Sequence, residues 1–289
     1  MSDLTATDPF AHVIGQPRAC ELLRRALATD RVSHAYLIVG PAQIGKTTLV
    51  EALATQLLGM APAKSADWRA WHPEGKAGLI KMDQVREVIA ACTTAPMGEL
   101  SQVFAVFGAE AMGRDSGHAL LKTLEEPPAR TVLILVAERL ESVLPTIRSR
   151  AQFIPLSLVA ETTITETLIQ RGVEPERAAS LARQADGRIG WAISQIDGTE
   201  AEPFWPAADL RTPMGRLEAA KALGELPGPE LKAALSGRIR QRWQTARDTA
   251  QDPVGWHELS ALETAIQRLD ANVNAKLVIE ALLDEGALR

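Results

Sequence analysis

Cysteine is scarce in this sequence. Cys20 and Cys92 are the only two, and aromatic residues make up 4% of the chain. Two thiols cannot build the common four-ligand structural zinc site unless histidines join them. Both fall in helix-like stretches and read as buried apolar positions. With so few rings, the cores must be built from Leu, Ala, Val and Ile, and a hydrophobic content of 46% supplies them. An excess of positive charge is also lacking. The net charge is −5 at pH 7, which argues against a protein that coats nucleic acid by bulk charge. Aromatic residues do not alternate with basic ones in the way that base stacking requires. No apolar run approaches the roughly 18 residues of a membrane span, and there is no apolar leader-like stretch at the start. The expected compartment is the cytoplasm, with no membrane partner.

One stretch organises the rest. Apolar Ala35–Val39 ends at Gly40, and Gly40, Pro41, Ala42, Gln43, Ile44, Gly45, Lys46, Thr47 and Thr48 follow. A helical pattern then runs from Leu49 to Leu58. Strand, loop and helix in that order are the setting in which Gly-x-x-x-x-Gly-Lys-Thr holds phosphates. The glycines let backbone N–H groups turn toward phosphate oxygens, and a helix N-terminus favours an anion. Lys46 brings a positive charge to the β- and γ-phosphates, and Thr47 offers an oxygen to magnesium. Gln43 stands where many such loops carry a third glycine, which predicts a stiffer loop that holds nucleotide less well.

The length of 289 residues corresponds to about two domains, or three small ones. A lead-in and an amphipathic helix cover residues 10–30, with Leu22, Leu23, Ala26 and Leu27 on one face. Residues 60–78 read as a loop, with His72-Pro73 as a turn, and 79–92 as helical. Strands are expected at Gln102–Phe107, Thr131–Ala137 and Gln152–Leu156. A helix from Asp115 to Glu126 is expected to be capped by Asp115 or Ser116 and stopped by Pro127-Pro128. Strands alternating with helices predict a parallel sheet covered on both faces. After Leu158 the strands cease. Three short helices (160–171, 174–185, 190–195), a Pro/Glu-rich linker at 198–206 and helices at 214–224, 228–250, 253–269 and 272–286 complete the pattern. Leu259, Leu262, Ile266 and Leu269, then Val273, Leu277, Ile279 and Leu282, give apolar faces suited to a bundle. Arg238, Arg240, Arg242 and Arg247 cluster on one of these helices, by default as a charged outer face. The domain boundaries expected are 1–157 for an α/β nucleotide-binding domain, 158–204 for a helical lid and 205–289 for an all-α collar.

A phosphate loop on a parallel sheet followed by a helical lid is the layout of an AAA+ module. Particular strings narrow it: His34-Ala-Tyr-Leu, Gly40-Pro, His118-Ala-Leu-Leu-Lys-Thr-Leu-Glu-Glu-Pro-Pro128, Leu144-Pro-Thr-Ile-Arg-Ser-Arg150 and Asn272-Val-Asn-Ala-Lys276. Together they resemble the bacterial DNA polymerase III clamp-loader family over nearly the whole chain. The resemblance implies a place in a hetero-pentamer with motor (gamma/tau-type) and delta-type subunits. It also implies contact with a sliding clamp and primer-template DNA through that complex. Arg150 aligns with a finger that reaches the neighbouring subunit's ATP site, where a guanidinium neutralises charge on the transferred phosphoryl group. Ser149 precedes it, Ala151 replaces the family's Cys, and Arg148 is the competing candidate. Lys122, Glu125 and Glu126 are implied to line the interface beside the finger. ATP is the implied nucleotide, with magnesium only through Thr47. The family's four-cysteine zinc module has no counterpart.

Three positions depart from the family's motor pattern. Phe107 stands where a motor subunit carries its magnesium carboxylate, the first residue of an Asp-Glu pair. Glu110 is the only nearby acid and reads as a solvent-facing loop residue. Ala137 replaces a polar sensor. Gly190 falls near the place of a phosphate-facing arginine, for which Arg188 is a candidate substitute. The expectation is a pocket that cradles nucleotide but does not hydrolyse it. The alternatives are a self-sufficient AAA+ ATPase, which Lys46 and Thr47 favour, and a scaffold that never meets nucleotide.

Overall fold

The computed structural model describes residues 8–75, 78–98, 101–197, 212–226, 230–232, 234–239, 242, 253–271 and 273–284. Two compact units emerge. One takes the residues up to Pro73 and those from Leu79 to Ile196; the other takes Glu74–Gly78 and the residues from Asp197 onward.

In the first unit, five strands form a parallel sheet in the order β2-β3-β4-β1-β5. They are β1 (Ala35–Val39), β2 (Trp68–Trp71), β3 (Gln102–Phe107), β4 (Thr131–Ala137) and β5 (Gln152–Pro155). Helices α1 (Pro17–Ala28), α2 (Lys46–Leu58), α3 (Met82–Thr93), α4 (Arg114–Glu125) and the single turn α5 (Pro145–Arg148) flank it. The three central strands are apolar apart from Gln102 and Thr131, which open β3 and β4 and bond to each other at 2.7 Å, because both of their faces are covered. Tyr36, Ile38, Val103, Ala105, Ile134 and Val136 pack into one cluster with Leu23 of α1 and Leu49 and Leu53 of α2. Leu37, Phe104, Val106, Leu133 and Leu135 pack into another with Val85 and Val88 of α3, Leu120 and Leu124 of α4 and Ile147 of α5. Each such Leu, Ile or Val contributes about 1.5–3 kcal/mol by leaving water.

The expected loop at 60–78 contains a strand. Trp68–Trp71 pairs in parallel with Val103–Val106 at the sheet edge. Flanking Ala, Pro and Gly hide so short a strand in sequence, while the Trp side chains suit a half-buried pleat. The cap of α4 also differs from expectation. The N-cap is Gly113 with no side-chain cap bond, and Ser116 is buried inside the helix. The short helix α5 was not anticipated as an element; Pro145 at its first position favours it.

Helices α6 (Glu161–Gln170), α7 (Pro175–Ala185) and α8 (Ile189–Asp197) have a small core of their own, built by Ile164, Leu168, Ala178, Ala182, Ile189 and Ala192. In the second unit, α9 (Pro213–Gly224) is capped by the Thr212 hydroxyl, which accepts from Gly215 N–H at 3.0 Å. It shares a core with Leu231 and Leu235, with Leu262 of α10 (Pro253–Asp270) and with Val278 and Leu282 of α11 (Ala275–Asp284). Leu259 and Ile279 are buried as expected, but Val273 and Leu277 are exposed. Val273 precedes α11, and Leu277 lies off its buried stripe. Arg238 and Arg242 are not outward-facing. Both donate to the buried Glu258 carboxylate, Arg238 Nε to Oε1 at 3.0 Å and Arg242 to Oε2. Arg240, Arg247 and the expected 198–206 linker lie outside the described residues. Among the described residues no helix is long and apolar enough to cross a membrane.

Candidate functional site

In a parallel sheet of this order, the C-terminal ends of β1, β3 and β4 open onto one crevice. The phosphate-loop residues leave β1 there. Gly40 N–H donates to the Ala137 carbonyl at the end of β4, at 3.2 Å. Ile44 is fully buried and anchors the loop, while Ala42, Thr47 and Thr48 are exposed. Gly45 is the N-cap of α2 in the left-handed region, and no side chain caps the helix. That leaves the first turn as an anion-favouring end. Gln43 also adopts a positive φ, 61°, so it supports a glycine-like turn at a cost that glycine would not incur. The Lys46 ammonium turns back on its own loop, donating to the Gly40 and Pro41 carbonyls at 2.6 Å each.

The end of β3 carries no carboxylate. Phe107 ends β3, and its ring stacks on His72, centroids 4.6 Å apart and planes 2° off parallel. Gly108 has φ 71°, and a Cβ built there would stand 2.5 Å from Pro73 Cγ. His72 is held in turn by its carbonyl, which accepts from the buried Gln84 side chain at 2.8 Å. The His72-Pro73 segment therefore does more than turn the chain: it packs against Phe107 and Gly108 at the end of β3. Glu110 is not a solvent-facing loop residue either. Its Oε1 accepts from Glu138 N–H at 3.0 Å, tying the segment after β3 to the residue after β4. Ala137 is buried and offers only its backbone. The residues fit a phosphate through the loop and the start of α2. They do not fit a magnesium held by carboxylates at the end of β3, since Phe107 and Gly108 stand there, and Thr47 is the oxygen ligand that the start of α2 offers. Among the described residues no cluster of three His, Cys, Asp or Glu is set to hold a metal ion.

The start of α8 meets the loop directly. Gly190 N–H donates to the Gln43 carbonyl at 2.7 Å, and a Cβ at Gly190 would lie 2.8 Å from that oxygen. Arg188 turns to Asp186, Nη1 to Oδ2 at 3.4 Å. Gln16, which sequence reasoning passed over, bridges the lead-in and the chain after β5. It donates to the Ser157 carbonyl at 2.7 Å and accepts from Ser157 N–H at 3.2 Å. Its burial at 4% exposure is legible only in three dimensions.

At the other end of the site residues, Arg150 follows α5 and lies against the end of α4. Its Nε donates to Glu125 Oε1 at 2.6 Å, and its Nη1 donates to the Thr146 carbonyl and to Ser149 Oγ, each at 3.0 Å. Lys122 on α4, and Glu126 and Ser149 just past the ends of α4 and α5, are exposed nearby. The sequence-predicted residues thus form two groups: the loop 40–48, and the α4–α5 group built on residues 122, 125, 126, 149 and 150.

Comparison with known proteins decides the family. The family described as DNA polymerase III, delta subunit, matches residues 15–160, just over half of the chain. The protein belongs to the DNA polymerase III delta-subunit family. The DNA polymerase III subunit delta' of Pseudomonas aeruginosa is 38% identical over 136 residues, 41% of this chain and 41% of that protein. The Bacillus subtilis subunit delta' is 28% identical over 187 residues, covering 59% of this chain and 56% of its own length. The matches thus span about two fifths to somewhat over half of these relatives. A gamma/tau subunit from Mycobacterium tuberculosis is 32% identical over 183 residues, 58% of this chain and 32% of that one. Among solved structures, a DNA polymerase III gamma subunit-related protein from Thermotoga maritima matches with TM-score 0.52 and 18% identity, over 92% of this chain and 99% of its own. RuvB from the same organism, a Holliday junction branch migration motor, matches with TM-score 0.55 and 16% identity, over 96% and 90%. These two support the AAA+ fold of this polymerase III family member.

Proposed function

We propose that this chain acts as a delta prime-type subunit of the DNA polymerase III clamp loader, helping ATP-driven loading of a sliding clamp onto primed DNA. Its partners are the gamma/tau-type and delta-type subunits of a hetero-pentamer, and it meets clamp and primer-template DNA through that assembly, in the cytoplasm. Residues 158–204 act as the lid and 205–289 as the collar that joins the subunits. The observation that carries the reading is the Phe107-Gly108 pair, backed by His72 and Pro73, where hydrolysis needs two carboxylates. Lys46 and the start of α2 still suit ATP, with magnesium only through Thr47, but the pocket does not supply hydrolysis. Arg150 is the residue donated outward, completing the ATP site of the adjacent motor subunit, with Lys122, Glu125, Glu126 and Ser149 around it at the interface. Replacing Arg150 by Ala in the reconstituted loader tests this. ATP turnover falls while the complex elutes intact, whereas unchanged turnover removes the finger role.

A further inference from the structure

The Arg150 guanidinium is already occupied within its own chain. Nε and Nη2 both address Glu125 Oε1, and Nη1 addresses the Thr146 carbonyl and Ser149 Oγ. Three nitrogens held from three directions fix the plane of the fork. Glu125 is the last residue of α4, and Glu126 follows it. A helix C-terminus carries partial negative charge and disfavours carboxylates, so two acids there are misplaced unless a cation answers them. Arg150 is that cation for Glu125. The pair is nonetheless half in water, with side chains 32% and 49% exposed. Exposed pairs are weak and screened, so this one orients the guanidinium without trapping it. A triphosphate, with more charge and several acceptor oxygens, outcompetes one carboxylate.

We infer that Glu125 is a positioning residue for the finger: it holds Arg150 flat against the end of α4 in the free chain and yields it to a neighbour's phosphates on assembly. The inference rests on Arg150 being the donated finger. An arginine held ready loses less rotamer freedom on reaching a phosphate than one that starts unrestrained. Thr146 and Ser149 keep Nη1 anchored during the exchange, so only the Nε–Nη2 edge changes partner.

The test is a double-mutant cycle in the reconstituted loader, with ATP turnover and the KM for ATP both measured. Glu125→Ala lowers kcat by about threefold with KM unchanged, since a misaimed group costs rate rather than affinity. In an Arg150→Ala background the same substitution has no further effect, and Glu125→Asp recovers part of the rate. A purely structural Glu125 would act equally in both backgrounds, and that result overturns the inference. So does an Arg150→Ala loss accompanied by a neutral Glu125→Ala. If Arg150→Ala itself leaves turnover unchanged, the finger reading fails first and this inference fails with it.

Discussion

The Phe107 ring lies flat on the His72 imidazole, 4.6 Å between centroids, and this stack occupies the end of β3, the position on which the proposed lack of hydrolysis rests. Gly108, the next residue, abuts Pro73. Phe107 and Gly108 are thus embedded in packing from a separate segment, so placing Asp and Glu here does not by itself build a hydrolytic site. The double variant Phe107→Asp, Gly108→Glu is expected to hydrolyse no ATP. It is expected to lose about 2–4 kcal/mol, from the lost stack, the positive φ and the Pro73 contact. Thermal melting and phosphate release read both outcomes.

Lys46 acts as a strut when its ammonium joins the Gly40 and Pro41 carbonyls. Lys46→Met removes two charge-assisted bonds from a partly exposed group, worth about 1–2 kcal/mol together after discounting for solvent. A lowered melting temperature with loader turnover within about twofold of wild type is the expected pairing. A large loss of turnover would assign Lys46 an active catalytic part.

In the second unit, Glu258 is 1% exposed and answers both Arg238 and Arg242. Removing one member of such a group strands the others. Glu258→Ala is expected to cost about 3–5 kcal/mol, visible as early loss of helical circular dichroism on heating. An unchanged melting curve would contradict the triad's role.

Cys92 is fully buried, and burial pushes its thiol from 9.0 up to about 12. Burial also raises Cys20. The folded chain therefore keeps these protons after the unfolded chain has released them. The Cys92 contribution to stability is complete below about pH 9 and falls as pH rises from 9 toward 12. A Cys92→Ala variant should lose less stability over that interval than wild type. In the native state, neither thiol should react with Ellman's reagent at neutral pH.

Much of this was legible in the sequence because it rests on local patterns. The apolar runs at 35–39, 102–107 and 131–137 become the three central strands, and the loop at 40–48 sits where strand and helix put it. What escaped depends on contacts between distant segments. Trp68–Trp71 is a strand only because β3 offers it an edge. His72 matters through Phe107, thirty-five positions on. Arg238 and Arg242 look like a solvated face until Glu258 on another helix is seen beneath them. The packing of Phe107, Ala137 and Gly190 was not legible: Gly190 touching Gln43 is a relation between α8 and the loop that no spacing encodes.

The most direct test of the central claim is steady-state phosphate release by the purified chain alone, with and without primed DNA, beside its Lys46→Ala variant. The two proteins are expected to be indistinguishable from each other and from background. Turnover by the wild-type chain that disappears in the Lys46→Ala variant would contradict the account.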